Sequence, residues 1–252
     1  MIKNKDNFLF VHFPTVLTLS ILSFFLIFRS FFGIGLNDEM QYYHQILGLL
    51  DNDKLFTNDL YIQQLVYVIF YPIFKPYYLI FGESGLILYG RIVFSILLLF
   101  VYELSRRQFL RMGCKKLDAG VCAIALVLVI PYHGIYALSY NTVSQICWTL
   151  TAIFVIFRMS LPIWLWSVII TISTIAHPIG GLAIGTVCVY HHLTFSLITK
   201  SIKIILLSTV LVILTLVGVI VLSVDSDTLL QAFNFTRGYS VGVAIFKSSQ
   251  VM

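Results

Sequence analysis

Mainly apolar runs, each near the length of a membrane-crossing helix, alternate along the chain with short polar breaks. The first spans Phe8 to Phe28 and is longer than the apolar core of a secretory leader. No small-residue cleavage site follows it, only Arg29-Ser30-Phe31-Phe32, so it is predicted to be a retained helix. From Leu36 to Gln64 the chain turns polar, with Asp38, Glu39, Asp51, Asp53 and Asp59 against a single Lys54. Within that stretch Asn37 can cap a helix from Asp38 to about Leu50, on which Met40, Tyr43, Ile46, Leu47 and Leu50 make an apolar stripe. Leu65 to Phe81 is apolar but interrupted by Pro72 and Pro76. Further helices are predicted over Ser84–Leu104, Asp118–Tyr132, Thr142–Phe157, Ile163–Ala176, Ile179–Ile198 and Ile204–Val224.

Composition turns this pattern into a class. Hydrophobic residues make up 59% of the chain and charged ones 11%, with a mean hydropathy of +0.95, which excludes an ordinary soluble domain and predicts a polytopic membrane protein. At about 20 residues per crossing, the chain has room for roughly seven. The net charge of +5 is not a nucleic-acid signature, because the basic residues sit in short clusters beside apolar runs. They set a topology instead. If Leu65–Phe81 crossed, the next helix would deliver Arg106, Arg107, Arg111, Lys115 and Lys116 to the outside, against the positive-inside bias. Asn58–Phe81 is therefore assigned to the outer interface, where Tyr61, Tyr67, Tyr71, Tyr77 and Tyr78 suit an aromatic belt; a membrane hairpin is the alternative.

The resulting expectation is an all-α bundle of about seven spans, with interfacial helices in a first external loop over residues 36–83 and the N-terminus in the cytoplasm. Residues 1–227 are expected to form the membrane module, and residues 228–252 an external tail or the start of a further, variable module. Lys3, Lys5, Arg106, Arg107, Arg111, Lys115, Lys116, Arg158, Lys200 and Lys203 then share the cytoplasmic side, while most acids lie outside.

Candidate chemistry is sparse in so apolar a chain. Asp38 and Glu39 fall in the first turn of the expected external helix, whose positive dipole end favours ionised acids. The plainer reading is a pair of ordinary first-turn acids on a solvated helix. Arg91 lies inside an expected span, where a charge is costly and turns to the bundle interior or a watery cavity; it can bind an anion or pair with Asp38 or Glu39. Arg29 and Lys75 read as snorkelling anchors, with a phosphate ligand as the alternative for each. His44, His133 and His177 share the outer side, yet no ligand spacing points to a metal. Cys114, Cys122, Cys147 and Cys188 imply no external disulfide.

The order of several motifs resembles the GT-C glycosyltransferases, among them the protein O-mannosyltransferases and the aminoarabinose transferases of lipid A. The residues carrying the resemblance are Asp38, Glu39 and Tyr42, Gly48, Asn58-Asp59-Leu60-Tyr61, Phe81-Gly82-Glu83-Ser84, and Arg91 and Ser95 through to Arg106-Arg107. It covers roughly the first 110 residues, and beyond them only the helix count. Family members join a seven-helix module to a variable part; the resemblance implies that the variable part would begin near residue 228, which makes this chain either a fragment or a minimal version.

The resemblance implies sugar transfer from a polyprenyl-phosphate donor to a hydroxyl acceptor at the external face, in a bacterial inner membrane. A phosphate leaving group needs little protonation, so such a site mainly deprotonates the nucleophile and stabilises negative charge. Asp38 maps onto the essential outer-loop acid, with Glu39 its catalytic neighbour. Arg91, Tyr42, Asp59, His177, Tyr140 and Asn141 are the candidates for substrate binding. Three have plainer readings: Asp59 as a helix cap, Asn141 as the cap of the following helix, and His177 in a tight turn with Pro178. A divalent cation is compatible with the resemblance but not required by the sequence; membrane lipids are the other expected partners. The rival readings are a polysaccharide repeat-unit polymerase, for which Arg-rich external loops are expected, and a transporter or flippase with midplane charges and repeated halves. A non-catalytic membrane remnant is the last.

Overall fold

The computed structural model describes residues 7–31, 38–51, 65–131, 136–158, 162–194, 198–223, 230–231 and 234. Its elements are all helical: α1 (Asn7–Phe31), α2 (Asp38–Leu50), α3 (Leu65–Phe81), α4 (Leu86–Arg111), α5 (Lys116–Leu128), α6 (Tyr140–Ile156), α7 (Ile163–Ala176), α8 (Pro178–Thr194) and α9 (Ile198–Ser223). No strand occurs among the described residues. Segments Phe13–Phe31, Leu86–Arg111 and Thr199–Gly218 are long and apolar enough to cross a membrane. The other helices expected to cross, α5 to α8, run to 13, 17, 14 and 17 residues. Each is shorter than the roughly 20 residues of a full crossing.

The chain divides into two compact units, Met1–Tyr42 with Gly85–Leu161 and Tyr43–Ser84 with Pro162–Met252, and the division falls inside α2. In the first unit, α1 buries a narrow stripe of Thr18, Leu22, Leu26 and Ser30 at four-residue spacing. The rest of its surface is apolar and outward: Phe24 and Phe28 are exposed, as are Ile96 and Phe100 of α4. A surface of this kind suits lipid better than water. The buried face of α4 runs through Gly90, Arg91, Phe94, Leu98, Val101, Tyr102 and Ser105. Small residues on α5 let α1 come close, since a Cβ on Gly120 would stand 2.7 Å from Thr18 Cγ2. Thr18 is fixed by a 2.7 Å hydrogen bond between its hydroxyl and that of Tyr102 on α4.

The first turn of α6 corrects one expectation. Ser139, not Asn141, is its cap: the Ser139 side chain accepts from Thr142 N at 3.2 Å, and Thr142 Oγ1 accepts from Ser139 N at 2.9 Å. Serine in extended backbone with a hydroxyl three residues on closes this reciprocal box, and Asn141 is left inside the helix.

In the second unit α7 is the central helix, burying Trp166, Ser167, Ile169, Ile170, Thr171 and Ser173. Ser167 and Thr171 donate across to the Ile204 and Ser208 carbonyls of α9, at 3.2 and 3.4 Å. Such bonds tie apolar helices together where no water competes. Lys75 on α3 donates to the Leu50 carbonyl at 2.9 Å, so it caps the C-terminal end of α2 rather than reaching outward as an anchor. Beside it the Tyr78 hydroxyl donates to the Asp51 carboxylate, and that bond raises the Tyr78 pKa above its ordinary value.

Helices α7 and α8 meet at a single residue, His177. Gly181 makes the meeting possible, because a Cβ there would lie 2.5 Å from the Thr174 Cα. A backbone atom cannot rotate aside. Gly181→Ala is therefore expected to cost about 1–2 kcal/mol of stability, overpacking outweighing the roughly 1 kcal/mol that alanine gains in a helix. Gly185→Ala, whose Cβ meets nothing within 4 Å, is expected to be neutral or stabilising. Unfolding measurements in detergent check both signs.

Candidate active site

Arg91 organises the polar centre of the first unit. Its Nε donates to Glu39 Oε1 at 2.7 Å and its Nη2 to Oε2 at 2.9 Å, a two-point pairing of fork and carboxylate. Its Nη1 donates to the Ser30 carbonyl at 2.9 Å. Helix ends explain this arrangement. The Ser30 carbonyl belongs to the last turn of α1, where acceptors lack helical partners and a cation is favoured; Glu39 sits in the first turn of α2, where an anion is favoured. One guanidinium thus holds the end of α1 and the start of α2 against α4.

Both charges are withdrawn from water, with Glu39 1% and Arg91 3% exposed. Hydroxyls extend the network. Ser95, one turn beyond Arg91, donates to the Arg91 carbonyl at 2.8 Å and pairs with the Tyr136 hydroxyl at 2.7 Å. The Arg29 guanidinium lies 5.7 Å from the centre of the Tyr136 ring. Burial pushes the Tyr136 pKa up, against the opposing pull of its hydrogen bonds to Ser95 and Ser30 and of the two arginines. Tyr136 therefore stays a neutral hydroxyl.

The structure brings together several of the residues expected from sequence. Tyr42 is buried, its ring edge-on to that of Tyr140 with centroids 5.9 Å apart. Asn141 follows Tyr140 in the first turn of α6 and is half-buried. Asp38 opens α2, although its side chain lies outside what is described, and Asp59 and the proposed Asn37 cap lie outside the described residues altogether. His177 belongs to the second unit, where its Nδ1 accepts from Gly180 N at 3.3 Å and caps α8. That bond engages one ring nitrogen in structure.

The apolar stripe of α2 is also shifted from expectation. Tyr43, Ile46 and Leu50 are buried as predicted, but Met40 is 43% exposed and Glu39 takes the inward place. Hydropathy favours Met40 for that place; the Arg91 guanidinium favours the acid. Ser30 and Tyr136 escaped the sequence reading, since only the fold sets them beside Arg91 and Ser95. Among the described residues no three His, Cys, Asp or Glu side chains group to hold a metal ion. No family model, curated protein or solved structure matches this chain.

Proposed function

We propose that the chain is an integral membrane glycosyltransferase of the GT-C kind, with about seven crossings and a cytoplasmic N-terminus. It moves a sugar from a polyprenyl-phosphate donor to a lipid, glycan or protein hydroxyl at the external face, in envelope polysaccharide or glycolipid assembly. The buried Glu39–Arg91 pair is the observation that carries this reading. Withdrawing two ions from water costs several kcal/mol each, and such a cost inside an apolar bundle is characteristic of sites that need a fixed geometry. Here the geometry fixed is the first turn of α2, which opens with Asp38.

The two acids then divide the work. Both Glu39 oxygens accept from Arg91, so Glu39 acts as a positioning residue. Asp38 is the general base: it takes the proton of the acceptor hydroxyl as that oxygen bonds to the anomeric carbon. The carbon–phosphate oxygen bond breaks, and polyprenyl phosphate leaves with the electron pair. Tyr140, half-buried and backed by the buried Tyr42 ring, supplies the aromatic surface against which a sugar packs.

Protein reconstituted in liposomes with labelled polyprenyl-phosphate sugars and envelope acceptors is expected to transfer label and release free polyprenyl phosphate. A donor pool left intact by folded protein, across the common envelope sugars and acceptors, contradicts the proposal.

A further inference from the structure

Far along α4 from Arg91, a cavity of about 420 Å³ opens beside the C-terminal ends of α4 and α6, lined by Gln108, Arg111, Met112, Ile156, Phe157 and Arg158. Two features mark it as more than a helix end with ordinary basic residues. Gln108 is 3% exposed, and its Oε1 accepts from Arg111 Nη1 at 3.2 Å, so a buried amide aims the Arg111 guanidinium. Arg158 has φ of +50°, a left-handed conformation that side chains avoid and that glycine usually occupies just past a helix. An arginine kept at such a position places its charge at the cavity at a cost to the backbone.

The surrounding charges decide what could bind. Arg106 and Arg107 are both occupied with Glu103, at 2.8 and 2.7 Å. Lys115 and Lys116 follow α4, with Asp118 the acid beside them in sequence. The two helix C-termini contribute about half a negative charge each, which the two arginines of the cavity exceed. The local field therefore favours an anion. Its rim is apolar, since Met112 and Ile156 are 62% and 67% exposed, and the ring of Phe157 is held edge-on to Phe109 at 5.5 Å. An ion with a greasy body fits this combination better than a free one.

We propose that this cavity binds the phosphate headgroup of an anionic phospholipid, with Arg111 and Arg158 on the phosphate oxygens and Met112 and Ile156 against the first carbons of the acyl chains. The proposal depends on a membrane setting and is independent of sugar transfer. Arginine suits the role because its planar fork meets two phosphate oxygens at once, and basic pockets at the ends of spanning helices are where anionic headgroups gather.

The test is native mass spectrometry of the purified chain with phosphatidylglycerol or phosphatidylcholine, with melting followed in parallel. Wild type is expected to retain phosphatidylglycerol preferentially. Arg158→Gly should weaken retention about fivefold, and Arg111→Gln with Arg158→Gln about thirtyfold, from the usual weight of a basic residue at an anionic surface. Arg158→Gly should melt no lower than wild type, because glycine accepts the backbone angle freely; if it does melt lower, Arg111→Gln alone should show the fivefold loss. Unchanged retention in these variants overturns the proposal. So does an equal loss in Arg107→Gln, which indicates diffuse charge, or equal binding of phosphatidylcholine. Displacement of the lipid by millimolar inorganic phosphate overturns the lipid assignment and identifies a free-anion site.

Discussion

Arg91→Leu is expected to lower the stability of the chain by about 3–5 kcal/mol, the usual cost of leaving one member of a buried pair without its partner. Both Glu39 oxygens lose their bonds to the guanidinium, and the Ser30 carbonyl at the end of α1 loses the Arg91 donor. Glu39→Leu is expected to be similarly damaging, because it leaves the buried guanidinium without the carboxylate that balances its charge. The double variant Glu39→Leu/Arg91→Leu should recover much of the loss, since removing both charges removes the desolvation cost along with the attraction. Unfolding of all four forms in detergent closes a double-mutant cycle, and a coupling of several kcal/mol is expected. A loss below about 1 kcal/mol for Arg91→Leu would be the behaviour of a water-screened surface pair, and would contradict the burial described.

Local pattern was legible where the cause is local. The apolar runs Leu65–Phe81 and Ile163–Ala176 are α3 and α7 to the residue, and the expected helix from Asp38 to about Leu50 is α2. What escaped detection is set by tertiary partners. Hydropathy put Met40 on the inner face of α2, but the guanidinium of Arg91, distant in sequence, turned Glu39 inward instead. Lys75 has the sequence setting of a snorkelling anchor, and only the fold brings the Leu50 carbonyl within its reach. Asn141 and Ser139 are both good caps by residue type, and only backbone conformation, with Thr142 three residues on, separates them. The left-handed backbone of Arg158 leaves no mark in sequence, because the residue is not glycine. In the candidate site, Arg91 could be named from a charge inside an apolar run, but the sequence left its role open between anion binding and pairing with Asp38 or Glu39, and only the fold selects Glu39. Ser30 and Tyr136 could not be named, being ordinary hydroxyl residues that reach Ser95 of α4 from the last turn of α1 and from the segment before α6.

The proposed transfer divides the labour between neighbouring acids, with Glu39 held by Arg91 and Asp38 proposed to act on substrate. Asp38→Asn keeps the shape of the side chain and removes its basicity. The dipole contribution of a first-turn acid is about 0.3–1 kcal/mol, so folding should be nearly unaffected. Loss of a general base typically costs 10²- to 10⁴-fold in rate. Glu39→Gln, by contrast, should lower stability and transfer together. The most direct measurement is the transfer rate of Asp38→Asn in reconstituted liposomes, with its melting curve recorded on the same sample. A fall of about 100-fold or more at unchanged stability is the predicted result; transfer near the wild-type rate by a folded Asp38→Asn protein would contradict it.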